Sequence, residues 1–155
     1  MQTIYGGGRA GYVGSGADGR AWTPPRKLAH IAQGHYQVTA HAPGSGVVAT
    51  AFNYHPEEGG LEARTNLYYA QSADGGASWT TAEGESLALP LTTVENPALI
   101  WDAAGAGLKV YMKDLVFDDD GHPVIVVVTS RGHEPGPENG PHTWRFARWT
   151  GEGWA

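Results

Sequence analysis

The feature that most limits how this chain can fold is its punctuation, in which short β-like runs alternate with turns rich in glycine and aspartate. Gly and Pro together make up about a fifth of the 155 residues, well above ordinary usage. Gly46 to Tyr54 and Thr65 to Gln71 each read as a strand. Leu108 to Lys113 alternates apolar and polar residues, as a half-buried strand does. Val124 to Thr129 is an unbroken β-branched run, suited to a strand covered on both faces. Between these two lies Phe117 to Pro123, whose Asp120-Gly121 step signals a hairpin. Trp144 to Trp149, the turn Thr150 to Gly153 and then Trp154 read as a last hairpin, cut off in its second strand. Only Asn96 to Ala104 carries a helical signature, with Asn96 as N-cap, Pro97 in the first turn and Gly105 ending it. The expected class is all-β.

Composition narrows the function. Six Trp and seven Tyr suggest strands, a binding surface, or both. Cysteine is absent, which removes disulfides, thiol nucleophiles and thiolate metal sites together. The net charge is −6 with only 10 Lys and Arg, too few cations for a phosphate-backbone partner, so nucleic acid is not expected. No apolar run approaches the roughly 20 residues that span a bilayer, so no membrane partner is expected either. Met1 is followed by polar Gln2 and Thr3 and then by glycines, which does not read as a signal peptide. The chain is then expected to be cytoplasmic, or to lie inside a longer secreted protein.

Several short strands with regular turns permit a sandwich, a barrel or a propeller. Repetition favours the propeller. Ser72-Ala73-Asp74-Gly75-Gly76-Ala77-Ser78-Trp79 matches the Asp-box pattern S-x-D-x-G-x-[ST]-W at every fixed position, which makes Ser72, Asp74, Gly76, Ser78 and Trp79 a structural set. In such a turn Asp74 accepts backbone N–H groups, Gly76 supplies a positive φ, and Trp79 packs over the tip. A degenerate copy lies at Gly16 to Trp22, its Trp 57 positions upstream of Trp79. That separation is somewhat more than one propeller blade of about 40–50 residues.

At these residues the chain resembles sialidase-like Asp-box propellers, and more narrowly the BNR-repeat proteins that include ulvan-lyase-type polysaccharide lyases. The resemblance is carried by Gly34 to Thr39, Ala51 to Pro56, Arg64 to Tyr69 with its Asp-box, Thr129 to Pro137, and Trp144 to Trp149. It implies a seven-bladed propeller. At about 40–50 residues per blade, residues 1–155 supply three or four blades. The expected domain is therefore a single partial propeller, which more blades of a longer chain, or self-association, would have to close. The resemblance also implies an acidic polysaccharide partner and an extracellular or periplasmic setting. The N-terminal Arg-Ile-Pro-type motif of sialidases is missing, which weakens a sialidase reading.

The residues permit a definite chemistry. A lyase acting on a uronate polysaccharide removes a weakly acidic proton beside a carboxylate and expels the 4-oxygen, without consuming water. It needs cations on the carboxylate, a base and an acid. His35 and His55, 20 positions apart at the edges of β segments, suit both proton-transfer roles, since imidazole titrates near 6.5. The resemblance likewise favours this pair. Tyr68 is a candidate auxiliary donor, and Tyr54 can share such a role if a cation lowers its phenol. Arg64 is the candidate carboxylate clamp, with Asn66 beside it in the same run. Arg131 and His133 offer a second polar wall. His30, His41 and His122 fall in Pro/Gly turns that read as structural. Tyr68 and Tyr69 alternate faces, so one of them is expected in the core.

No cofactor is required by the sequence. A calcium ion, structural or neutralising a carboxylate, would look to Asp118-Asp119-Asp120, but the D-x-D-x-D alternation and distal Glu are missing, and a solvated hairpin is the better reading. Two further functions are carried forward. One is a sialidase-like glycoside hydrolase, although Glu57, Glu58 and Glu62 share one loop and do not obviously oppose one another across a sugar. The other is a non-catalytic glycan-binding propeller.

Overall fold

The computed structural model describes residues 2–5, 9–134 and 136–155. Met1, the Gly6-Gly7-Gly8 run and Pro135 lie outside the described residues. The described chain forms ten strands: β1 (Gln2–Tyr5), β2 (Arg9–Val13), β3 (Arg26–Ala29), β4 (Gln37–His41), β5 (Val48–Tyr54), β6 (Thr65–Ser72), β7 (Leu99–Trp101), β8 (Lys109–Phe117), β9 (Pro123–Ser130) and β10 (Thr143–Arg148). Two short 3₁₀ turns, Gly60–Ala63 and Pro137–Asn139, are the only helical pieces among these residues. The strands make three antiparallel meanders: β1-β2-β3, β4-β5-β6-β7 and β8-β9-β10. None of the three sheets is closed.

Side-chain alternation explains how the sheets stack. On β5 and β6, Phe52, Tyr54, Tyr68 and Ala70 point to one face and pack with Val13, Leu28, Ala29 and Trp79. Ala49, Ala51, Leu67 and Tyr69 point to the other and pack with Val110, Leu115, Ile125 and Val127 of the third sheet. The middle sheet is thus buried on both faces, between a neighbour on each side. That arrangement corrects the expectation that only one of Tyr68 and Tyr69 is core: both are fully buried, in two different clusters.

The helical expectation for Asn96 to Ala104 is also overturned. Asn96 does cap locally, its Oδ1 accepting the Ala98 N–H at 2.9 Å. The chain then extends into β7 instead of winding on, because Leu99 and Trp101 pair with Tyr68 and Leu67 of β6. Pairing with a buried strand outweighs the weak local preference for a helix. The Phe117–Pro123 hairpin turn, by contrast, forms with β8 and β9 in register on either side.

Candidate functional site

The two ends of the sheets differ in chemistry. At one end sit Arg9 at the start of β2, His30 after β3, His35 and Tyr36 before β4, His55 after β5, Arg64 before β6, and the loop from Arg131 to His142 between β9 and β10. Five of the chain's seven histidines therefore gather at this end. The opposite end carries the Asp-box turn and the Asp118–His122 turn.

A single extended segment draws the first two sheets together there. The Arg9 N–H donates to Gln33 O at 3.0 Å, Gln33 N–H donates to His55 O at 3.0 Å, and His55 N–H donates to Gly34 O at 2.8 Å. Residues 31–35 are so threaded between the start of β2 and the end of β5. Gly34, at φ +118°, is required in this seam, because a Cβ there would overlap the Arg9 backbone. The third sheet joins through Val110 N–H, which donates to Arg64 O at 3.0 Å, and through Thr65 Oγ1, which donates to Leu108 O at 2.7 Å. Asn53 ties the seam to both: its Oδ1 accepts Tyr36 N–H at 3.0 Å and its Nδ2 donates to Val110 O at 2.8 Å.

His35 and His55 are both buried, but in different states. His35 is fully engaged. Its Nδ1 lies 2.9 Å from Asn53 O and its Nε2 accepts the Ile31 N–H at 3.2 Å. These partners assign the neutral tautomer with the proton on Nδ1. His55 has neither ring nitrogen hydrogen-bonded, although both are enclosed. An enclosed polar group without a partner is costly, and such groups concentrate where chemistry is done. Burial pushes the His55 imidazole down to about 4, and the nearby Arg9 and Arg64 guanidiniums add to the shift. Burial likewise lowers His35 to about 4.

Beside His55 lies the Tyr36 ring, and over that ring lie cations from the first and second sheets. The Tyr36 ring meets His55 edge-on at 5.0 Å between centroids. The Arg9 and Arg64 guanidinium carbons lie 4.8 Å and 4.7 Å from the centre of that same ring. Arg64 also lies 5.1 Å from the Tyr111 ring and donates to Glu62 at 3.1 Å. Tyr111, whose hydroxyl is enclosed without a hydrogen-bond partner, has the exposed His142 ring 6.2 Å away.

The other sequence-derived candidates stand apart from this cluster. Tyr68 is fully buried, stacks on Phe52 at 5.0 Å and donates to Val94 O at 2.9 Å; burial pushes its phenol up. Tyr54 packs edge-on against Tyr68 at 6.3 Å, and burial raises its phenol too. Asn66 is buried at a positive φ of 56° and accepts the Ala104 N–H at 2.8 Å. Arg131 and His133 are exposed in the β9–β10 loop, with His133 Nε2 at 3.7 Å from Glu134. Sequence reasoning missed Arg9, Tyr36, Tyr111 and His142. Tyr36 sits in the Gly34-His35-Tyr36 run, and Tyr111 is the half-exposed partner of buried Val110 in the alternating strand. Those were the available signals.

At the far end, Asp74 accepts Ser78 N–H at 2.9 Å and the Ser78 hydroxyl at 2.6 Å, while Ser72 Oγ accepts Gly76 N–H at 2.8 Å. These bonds hold the Asp74 carboxyl far below its ordinary range. Gly76 has φ +90° and Trp79 is buried beside the turn. In the degenerate copy Asp18 accepts the N–H groups of Arg20 and Ala21, but Trp22 is exposed. Asp118, Asp120 and His122 bring a ligand atom each within 4.8 Å of one another. Asp118 Oδ1 is nevertheless occupied by the Asp120 and His122 N–H groups, and its Oδ2 by Arg148 at 2.6 Å. A guanidinium therefore supplies the positive charge at this turn.

Fold and site together define an all-β protein of stacked sheets with a histidine, arginine and tyrosine cluster at one end. The sequence matches the BNR repeat-containing family over residues 5–155, and the chain belongs to that family. The fold is similar to that of a PL25 ulvan lyase, a polysaccharide lyase, with TM-score 0.72 and 20% identity over 95% of this chain and 37% of that one. It is similar also to a PL25 ulvan lyase structure bound to -[GlcA(1-4)Rha3S]-, with TM-score 0.71 and 21% identity, again over 95% and 37% of the two chains. The present chain thus spans little more than a third of these proteins. No curated protein sequence matches it.

Proposed function

We propose that this chain is part of a polysaccharide lyase that cleaves a uronate-containing acidic glycan by β-elimination, and that its three sheets are adjacent blades of a β-propeller. The observation that carries this reading is the convergence of an enclosed, neutral imidazole, His55, with the guanidiniums of Arg9 and Arg64. Likeness of fold to ulvan lyases, one of them bound to a glucuronate-containing sulfated sugar, supports the substrate class.

In the proposed reaction the uronate carboxylate is bound by Arg64 and Arg9. Their charge stabilises the enolate-like electron density that develops as the C5 proton leaves. His55, uncharged at neutral pH, accepts that proton. The bound carboxylate offsets the cationic field of the two arginines, and so raises the basicity of the imidazole when substrate is present. The C4–O bond breaks as the C4–C5 double bond forms, and the departing oxygen takes a proton from the Tyr111 hydroxyl. Tyr111 is preferred to Tyr68 because its hydroxyl is uncommitted and lies at the cluster. His35, with both nitrogens held by backbone, is assigned to fixing the seam that carries His55. Arg131 and His133, exposed at the same end of the sheets but outside the cluster, are assigned to the outer approach to it.

Mass spectrometry of the products from ulvan tests the reading. Elimination gives a new terminal sugar lighter by one water than the hydrolysis product. Products of hydrolytic mass would assign a sialidase-like hydrolase instead, and binding without cleavage a glycan-binding propeller.

A further inference from the structure

We propose that Tyr36 is a positioning residue whose ring gathers Arg9 and Arg64, from two different sheets, into one anion-binding pair beside His55. Arg9 opens β2 in the first sheet, Arg64 precedes β6 in the second, and Tyr36 lies in the connection between those sheets. Two guanidiniums brought to one place repel each other. The negative face of an aromatic ring offsets that repulsion for each of them. Tyr36 meets both cations at nearly equal distances, 4.8 Å and 4.7 Å, and contacts the His55 ring at 5.0 Å. Its own place is fixed by the backbone: Tyr36 N–H is held by Asn53 Oδ1 at 3.0 Å, and Tyr36 O accepts Asn53 N–H at 3.1 Å. The order Arg9, Tyr36, Arg64, Tyr111 is an alternating cation–aromatic ladder that crosses all three sheets.

The test reads the field at His55 without needing substrate. Arg9, Arg64, His35 and Glu62 are the charged or titratable groups acting on this imidazole, and Tyr36 packs against it. In the otherwise wild-type chain, Arg9→Gln and Arg64→Gln should each raise the NMR titration midpoint of His55. In a Tyr36→Leu background the same two substitutions should move it much less, because the guanidiniums are no longer held there. Tyr36→Phe should preserve the wild-type shifts. Arginine effects of the same size in Tyr36→Leu as in wild type would overturn the proposal. If Tyr36→Leu does not fold, 3,5-difluorophenylalanine at position 36, compared with Tyr36→Phe, keeps the ring's shape while weakening its negative face. Reduced arginine effects in that protein support the role, and undiminished effects overturn it.

For turnover the proposal rests on the lyase reading. There, Tyr36→Leu should raise KM for ulvan about tenfold with a smaller change in kcat, the pattern of lost ground-state binding. An absence of any eliminative turnover in the wild type, together with loss of arginine coupling in Tyr36→Leu, removes the lyase reading and leaves the positioning role standing.

Discussion

His35 and His55 are alike in the sequence, each beside a strand, yet the fold uses them differently. Two backbone groups occupy His35, whereas His55 keeps both nitrogens unbonded among cations. No local pattern separates the two, since the difference depends on Ile31 and Asn53 for one and on Arg9 and Arg64 for the other. Two substitutions test the residues that set this arrangement. Gly34→Ala is expected to destabilise the chain by more than about 1 kcal/mol, because an L side chain is strained at φ +118° and meets Arg9. A denaturant midpoint unchanged from wild type would show that the seam tolerates a side chain. Asn53→Ala is expected to cost about 1–3 kcal/mol for each buried group left unpaired, Tyr36 N–H and Val110 O being the two exposed to loss. Chemical denaturation measures it, and a change within about 0.5 kcal/mol would mean that water replaces the amide.

At the scale of elements, the strands with strong periodicity or β-branched runs were legible. β5, β6, β8, β9 and β10 lie within a residue or two of the runs read from sequence, apart from β8, which continues to Phe117. β1 to β4 carry no such signal; Gln37–His41 and Arg26–Ala29 are short, partly polar strands, formed because neighbours pair with them. At β7 Asn96 and Pro97 imitate a helix start, and only the pairing with β6 reveals the strand. The candidate site was legible in part. His55 and Arg64 are in the cluster, while Arg9, Tyr36 and Tyr111 enter it through contacts between sheets, which periodicity within one strand does not encode. An element-level consequence concerns Arg26, which donates to Ala77 O at 2.8 Å and so holds the Asp-box turn of the second sheet from β3 of the first. Arg26→Ala should loosen that turn, seen as faster amide exchange at Ser78, with little effect at Tyr36. Unchanged exchange at Ser78 would show that the Asp74 bonds suffice.

Among the described residues, the third sheet carries an exposed apolar face. On the third sheet Trp144 pairs with Val128 and Phe146 with Val126, and the outward side leaves Trp144, Phe146 and Val116 at 63%, 68% and 45% exposure. Apolar area of this kind marks an interaction surface. The isolated 155-residue chain is accordingly expected to self-associate, and Trp144→Ser with Phe146→Ser to shift it toward monomer. Light scattering distinguishes the cases; a strictly monomeric wild-type chain would contradict the expectation. Acid should weaken the fold as a whole. Burial lowers the folded-state imidazoles of His35 and His55 to about 4, while an unfolded histidine titrates near 6.5. The unfolded chain therefore binds more protons between these values, so this stability is fully present above about pH 6.5 and is lost as pH falls toward about 4. Thermal unfolding across that range should show the decline, and His35→Gln should flatten it. A midpoint independent of pH there would contradict the burial of neutral imidazoles.

The most direct test of the central claim is the growth of near-ultraviolet absorbance when the full-length protein acts on ulvan, compared between wild type and His55→Ala. The unsaturated-uronate chromophore should accumulate with the wild type, and its rate of formation should fall by at least about a hundredfold for a folded His55→Ala protein. Equal rates in the two would contradict the assignment of His55 as the proton acceptor.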